Sequence, residues 1–361
     1  MGAKKILIGL TYFSPNVSGV TLYAVILYEE LLKRKYKVKI ITSKYKKELP
    51  EKTGNIVRVI GFAIGKGFIM PTYCWQSLRE VRKCDVVNCH LPSIESFWLA
   101  LWAKVLKKKL VITHHCEFGI DGPWHNKLIG IITYPIHWLV YLMADKIISY
   151  TKDYADTSIF LRFFKKKLIY ILPPIKIKKL KTSPKGTHFV AQNSKLKTKT
   201  VGYVGRIAWE KGLDVLVKAM KKVDAKLVLV GPYKELAGDK TYTKLKNVEM
   251  VGPEKHEDLN KYYEGFDCLV LPSTNNLETF GIVQAEAMVC GCPVVASNLP
   301  GVRVPVRMTG MGEIAKIGDV SDLVKKINIV LGNGKEYYQK KAINLSNFDY
   351  KKTIDQYEEI F

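Results

Sequence analysis

Short β-branched runs recur along this chain, each followed by a longer amphipathic stretch, and that alternation restricts the fold more than any other feature. In the first half the runs are Lys5–Leu10, Lys37–Ser43, Asn55–Phe62, Asp85–His90, Leu110–His115, Lys146–Tyr150 and Leu168–Leu172. Several are almost continuously apolar, as strands covered on both faces must be. Stretches with helical spacing, such as Thr21–Lys35 and Ser93–Lys107, lie between them. This is the βαβ rhythm of a doubly wound parallel sheet. The segment "KIKKLKTSPKGTHFVAQNSKLKTK", Lys176–Lys199, interrupts it with basic and polar residues and reads as a linker. The rhythm then restarts, with strands expected at Thr200–Val204, Lys226–Val230, Val248–Val251, Cys268–Leu271, Pro293–Ala296 and Glu313–Lys316. Helices are expected at Gly212–Lys222 and Ile282–Val289. The expected class is therefore α/β, with two Rossmann-like domains in tandem. Residues 1–176 form the first, 177–199 a basic linker and 200–346 the second; 361 residues suffice for two cores.

Composition narrows the function classes. The apolar run Leu128–Ala144 is broken by Pro135 and His137 and reads as a buried helix rather than a membrane span. The opening "MGAKKILIGLTYF" reads as a first strand, too short in apolar residues for a secretion signal, so a cytoplasmic location is expected. Seven cysteines, none in a C-x-x-C pair, indicate neither a disulfide framework nor a zinc site. Cys290 and Cys292 read as small packing residues at a helix-to-strand turn. The charge is uneven: 57 Lys and Arg against 33 Asp and Glu give +24, and residues 1–180 hold 30 basic and 12 acidic residues. An anionic partner for the first half follows, with a lysine-rich solvated surface as the plainer explanation.

Ligands of such sheets bind beyond the carboxyl ends of the strands, so candidate residues are sought there. After Val204 comes "GRIAWEKG", in which Arg206 and Lys211 precede a helix opened by Gly212. Paired cations before a helix N-terminus suit a diphosphate. After Leu271 comes "PSTNNLETFG", which puts Glu278 in a loop and Glu286 on the helix that follows Gly281. Backbone N–H groups from Gly281 to Val283 could hold a phosphate, and Glu286 could accept two hydrogen bonds from a vicinal diol. An exposed glutamate near a helix start would explain the same pattern.

The stretch "ETFGIVQAEAMVCGCPVVAS" resembles the E-x7-E signature of the family 4 retaining glycosyltransferases, which have the GT-B fold. "VGRIAWEKG" is similar to that family's Arg/Lys diphosphate clamp, "GLTYFSPNVSGVTLYA" to its glycine-containing first loop, and "VLVGP" and "GFDCLVLPS" to its later strands. The resemblance implies two facing domains across a cleft, with the C-terminal helix 347–361 crossing back onto the first. It implies that Glu286 binds the ribose of a nucleotide-sugar donor, such as a UDP- or GDP-sugar, and that Glu278 approaches the sugar. The backbone of Phe280, Gly281, Ile282 and Val283 would meet the sugar and diphosphate, and Arg206 and Lys211 would neutralise the leaving diphosphate. Gly19 and Gly231 would allow close backbone approach to the donor. The family's T-x-H spacing from Thr113 selects His115 over His114 as the first domain's catalytic histidine, and His90 receives no chemistry.

The resemblance further implies a metal-independent hexosyltransferase that needs no cofactor, acting on a glycan or lipid-linked acceptor. The basic first half would lie on an anionic membrane surface at the inner face of the cell membrane. One departure stands out: "VRVPVR", Val302–Arg307, lacks the acidic residue the family often carries there. A sugar-nucleotide epimerase on the same fold, and a non-enzymatic nucleic-acid- or membrane-binding protein, are the competing readings; the second leaves both strand-end constellations unexplained.

Overall fold

The computed structural model describes residues 3–64, 67–117, 124–176, 198–207, 211–232 and 247–361. The chain divides into two compact units, Met1–Pro174 with Tyr350–Phe361, and Ile175–Asp349. Most of the expected linker, 177–197, lies outside the described residues.

The first unit contains the strands β1 (Lys5–Gly9), β2 (Lys37–Ser43), β3 (Lys52–Thr53), β4 (Ile56–Val59), β5 (Phe62–Ile64), β6 (Gly67–Ile69), β7 (Val86–Leu91), β8 (Lys109–His114), β9 (Lys146–Ser149) and β10 (Leu168–Tyr170). Its main sheet runs β10-β9-β8-β7-β1-β2-β4-β3, parallel except for the β3–β4 pair. All six residues of β7 are buried, which fits a central strand with helices on both faces. Strand order reverses where β1 meets both β2 and β7, so the carboxyl ends of β1 and β7 frame the natural crevice of this sheet.

The second unit contains β11 (Thr200–Val204), β12 (Lys226–Val230), β13 (Val248–Gly252), β14 (Cys268–Leu271), β15 (Val294–Ser297) and β16 (Gly312–Ala315), in the order β13-β12-β11-β14-β15-β16. The pairs are all parallel, and the reversal falls between β11 and β14. The loops that carry Arg206 and Glu278 therefore leave neighbouring strands at the switch point. A parallel bridge between Ile175 and Asp349 joins the two ends of this unit.

Two details depart from the sequence reading. The expected single strand Asn55–Phe62 is split into β4 and the small β5–β6 hairpin. Gly61 lies at the break, where a Cβ would stand 2.0 Å from the Ile69 carbonyl oxygen, so only glycine lets the hairpin fold back this closely. The stretch Val302–Arg307, expected as a loop, enters a short helix at Val304–Thr309 with Pro305 in its first turn.

The helix Tyr350–Ile360 belongs to the first unit and packs on the helix Gly19–Lys33. Arg34 pairs with Asp355 and Glu358, and Thr353 Oγ1 donates to the Leu172 carbonyl at 3.0 Å. Ile354 and Tyr357 are fully buried there. Among the described residues no helix is long and apolar enough to cross a membrane.

Candidate functional site

In the second unit the candidate residues gather at the reversal point. Gly212 caps the helix Leu213–Met220 at φ 69°, and a Cβ on it would lie 2.0 Å from the Pro272 carbonyl oxygen. Glycine thus lets the loop after β11 press onto the loop after β14. The consequence is an ion pair between them: Lys211 Nζ donates to Glu278 Oε2 at 2.7 Å, with both groups partly open to solvent. Arg206 is exposed at the end of β11, and its carbonyl accepts from the Tyr203 hydroxyl at 2.9 Å. Residues 208–210 lie outside the described residues. Gly231 follows β12 and lies against the end of β11, where a Cβ would come within 2.0 Å of the Gly205 carbonyl oxygen.

The helix Ile282–Val289 starts where the sequence places it. Gly281 caps it at φ 74°, a conformation other residues reach only with strain. The first-turn N–H groups of such a helix have no intrahelical acceptor. Ile282 and Val283 are only partly buried, so their end of the helix is accessible, whereas the Phe280 ring is buried edge-on against Phe348. Any contribution of Phe280 to a ligand is made by its backbone.

Glu286 is 1% exposed, and both of its oxygens are engaged. His256 Nε2 donates to Oε1 at 2.6 Å and the Tyr263 hydroxyl to Oε2 at 2.7 Å. Burial would lower the His256 pKa, but the bond to Glu286 and the charges of Glu286 and Glu257 outweigh it, and the net shift is upward. Burial first, then Glu286, pushes the Tyr263 hydroxyl well above its ordinary value, so it stays a donor. Each carboxylate oxygen keeps a second lone pair, and a diol could use both if His256 gave way. Sequence reasoning missed these two partners. The one available signal was that a buried carboxylate needs donors; nothing in the spacing says which. It also missed Gln284, which donates to the carbonyls of Phe280 and Val302 and so ties the cap of this helix to the turn after β15.

In the first unit Gly19 is the exposed first residue of the helix Gly19–Lys33, capped by Ser18 Oγ accepting from Thr21 N at 3.1 Å. The loop before it is pinned from below: the hydroxyls of Thr42 and Ser43 both donate to the Thr11 carbonyl.

His115 and His114 follow a different logic from the open charges of the second unit. Both are buried. His114 lies between the hydroxyls of Tyr141 and Tyr154. His115 Nε2 meets His90 Nδ1 at 2.8 Å, His115 Nδ1 meets the Tyr150 hydroxyl, and His90 Nε2 meets Asn88 Oδ1 at 2.9 Å. The protons in this chain can be placed. Asn88 Nδ2 faces the Val111 carbonyl at 3.2 Å, which only accepts, so Oδ1 must face His90. His90 Nε2 therefore carries a proton. Burial pushes the His90 pKa down to about 3, so the ring is neutral and its Nδ1 accepts. His115 Nε2 must then donate. Burial, then His90 and His114, holds His115 well below its ordinary value, so its Nδ1 accepts from Tyr150. Every hydrogen bond from Tyr150 to Val111 points the same way. His90, given no chemistry by the sequence reading, sets the tautomer of His115. Thr113 Oγ1 accepts from Asn88 at 3.0 Å and meets the Tyr357 hydroxyl at 2.8 Å, which meets Tyr23 at 2.8 Å. The C-terminal helix thereby joins the network.

Among the described residues no group of three or more His, Cys, Asp or Glu side chains is placed to hold a metal ion. Cys290 and Cys292 are buried at the turn between the helix Ile282–Val289 and β15.

Comparison with known proteins places this geometry. Residues 17–177 match the model of glycosyltransferase family 4, and residues 185–347 that of the glycosyl transferases group 1. The sulfoquinovosyl transferase of Arabidopsis thaliana is 28% identical over 269 residues, which cover 69% of this chain and 50% of that protein. A D-inositol 3-phosphate glycosyltransferase of Mycobacterium sp. (strain KMS) is 33% identical over 153 residues, 40% of this chain and 34% of that protein. The chain thus spans half or less of the length of these curated relatives. Among solved structures, Anabaena HepE in complex with UDP superposes with a TM-score of 0.74 at 20% identity, covering 99% of this chain and 98% of that one. Sucrose-phosphate synthase from Thermosynechococcus elongatus gives the same values. At such identity the likeness speaks for the fold, while the two family models between them take in nearly all of both units. The chain belongs to the family 4 glycosyltransferases and has their GT-B fold.

Proposed function

We propose that the protein is a retaining glycosyltransferase that moves a hexosyl group from a nucleotide-sugar donor to a glycan or lipid-borne acceptor, without a metal ion or other cofactor. The observation that carries this reading is the Lys211–Glu278 pair at 2.7 Å beside the Gly281-capped helix that bears the buried Glu286. The matched family and the UDP and UDP-glucose complexes of HepE support a uridine donor first.

In this reading Glu286 accepts the ribose hydroxyls after His256 turns aside. The N–H groups of Ile282 and Val283 meet the diphosphate, and Gly231 leaves room for it. Lys211 releases Glu278 to the donor sugar and, with Arg206, stabilises the negative charge that grows on the departing diphosphate. Preorganised charge of this kind lowers the barrier where charge develops. The acceptor hydroxyl attacks the anomeric carbon on the face the diphosphate leaves, and a diphosphate oxygen takes its proton. No strong protein base is then required, which suits a His115 whose ring nitrogens are both engaged; its role is to hold the first unit's strand ends in place. The net charge of +24 supports work at an anionic membrane surface.

The test is donor turnover with and without acceptor, using UDP-, GDP- and ADP-sugars. Acceptor-dependent release of one nucleotide, with the anomeric configuration retained in the product, is expected. Donor turnover that needs no acceptor and leaves an epimerised sugar nucleotide would replace the transferase reading with an epimerase one.

A further inference from the structure

Among the described residues no counter-charge meets the buried Arg58. It lies in β4 and is 7% exposed. Its Nη2 donates to the Ser14 carbonyl, Nη1 is buried with no acceptor, and no carboxylate among the described residues pairs with it. A guanidinium cannot shed its proton in a protein, so the charge stays, and a buried charge of this kind is costly until an oxyanion answers it. Tyr45 stands close enough to feel that charge, and its hydroxyl is a second buried group without a partner.

Arg58 lines a cavity of about 510 Å³ at the carboxyl end of β4, the size of a small-ligand site. Thr72 and Gln76, from the start of the helix Tyr73–Val81, form another wall. The lining contains one carboxylate, Glu51, which is largely exposed and lies 3.7 Å from Lys44 Nζ, so its charge is partly answered outside the cavity. The rim is apolar: Ile60 and Phe62 are more than half exposed, and Ile69, which pairs with Phe62 across the β5–β6 hairpin, is also exposed. A cationic floor beneath an apolar rim matches a phosphate attached to a less polar body.

We propose that this cavity binds the phosphate group of the acceptor, with Arg58 as its counter-ion. The word acceptor rests on the glycosyltransferase reading; the binding itself does not. Through Ser14, Arg58 also touches the loop between β1 and the helix Gly19–Lys33, so an occupied cavity would brace the loop that leads to Gly19.

The experiment measures binding of glycerol phosphate by calorimetry, and flotation with vesicles of phosphatidylcholine alone or mixed with phosphatidylglycerol. Wild type is compared with Gln76→Glu, which adds a carboxylate to the lining at a partly exposed position, and with Arg58→Gln. Hydrogen-exchange protection of the first-unit strands in each variant reports that this unit is folded. The proposal expects glycerol phosphate to bind wild type and to bind Gln76→Glu at least about tenfold more weakly, with nucleotide binding unchanged. Phosphatidylglycerol-dependent flotation that falls in the same variant identifies a lipid headgroup as the source of the phosphate. Flotation that ignores the substitution, alongside glycerol phosphate binding that responds to it, identifies a soluble one. Glycerol phosphate that fails to bind wild type, or binds Gln76→Glu equally well, overturns the proposal. Failure of all nucleotides to bind wild type would count against the donor reading and leave this result standing.

Discussion

His115 in the first unit and His256 in the second are both taken up by close hydrogen bonds, yet their partners differ in kind. His115 meets the neutral groups His90 and Tyr150, and the neighbouring His114 meets tyrosine hydroxyls. His256 meets the carboxylate of Glu286. Burial without a charge drives the first set of pKa values down and fixes tautomers; burial beside a carboxylate drives the second up and keeps an ion pair. The histidine cluster of the first unit holds its shape with neutral groups, whereas Glu286 and Glu278 of the second sit against cationic partners. An anionic donor suits the second arrangement.

Acid should separate the two most strongly. His90 and His114 are lowered to about 3 and His115 is lowered well below 6.5, so the unfolded chain binds protons that the folded first unit refuses. Stability from these groups is present above about pH 6.5 and falls as pH drops below it, by up to about 1.4 kcal/mol per pH unit for each histidine. Hydrogen exchange from about pH 7 to about pH 4.5 should show peptides of the first unit losing protection before those of the second. Simultaneous loss would break the comparison.

Next in size is the charge clamp. Lys211→Ala should lower turnover by about 10²–10³-fold while leaving first-unit protection unchanged. A comparable fall in first-unit stability would mean that the clamp is structural. His90→Leu tests the neutral side: it strands Asn88 Oδ1 and His115 Nε2, at about 1–3 kcal/mol for each buried unpaired group. The loss should appear in first-unit exchange, with nucleotide affinity kept.

Tyr357→Phe removes the hydroxyl between Thr113 and Tyr23 and should cost about 1 kcal/mol, read as faster exchange in both the C-terminal helix and β8. The smallest effect belongs to His256→Gln. Because the His256 pKa is raised, its pairing with Glu286 stabilises the protein below about pH 6.5 and the contribution fades as pH rises through the folded-state value. The melting-temperature gap between wild type and His256→Gln should therefore narrow from about pH 6 to about pH 8, opposite to the trend in the first unit.

Much of this architecture is legible in the sequence, and the reasons are local. Buried parallel strands such as β14 and the Leu227–Val230 part of β12 appear as unbroken apolar runs, and Gly281 followed by an apolar stretch marks the helix that carries Glu286. The hairpin β5–β6 is not legible, since three-residue strands leave no period to read and the clash at Gly61 comes from a residue eight positions on. The partners of the site are harder still. His256 and Tyr263 lie 30 and 23 residues from Glu286 and meet it only because the sheet brings their elements together. Nor does any local pattern give the direction of the His90–His115 chain, which depends on an Asn88 amide oriented by the neighbouring strand.

The most direct test of the account is calorimetric titration of UDP, GDP and ADP into wild type and Glu286→Ala. The account predicts that one nucleotide, UDP first, binds wild type and that the variant loses this binding. Nucleotide binding that survives unchanged in Glu286→Ala, or no binding of any of the three to wild type, would contradict it.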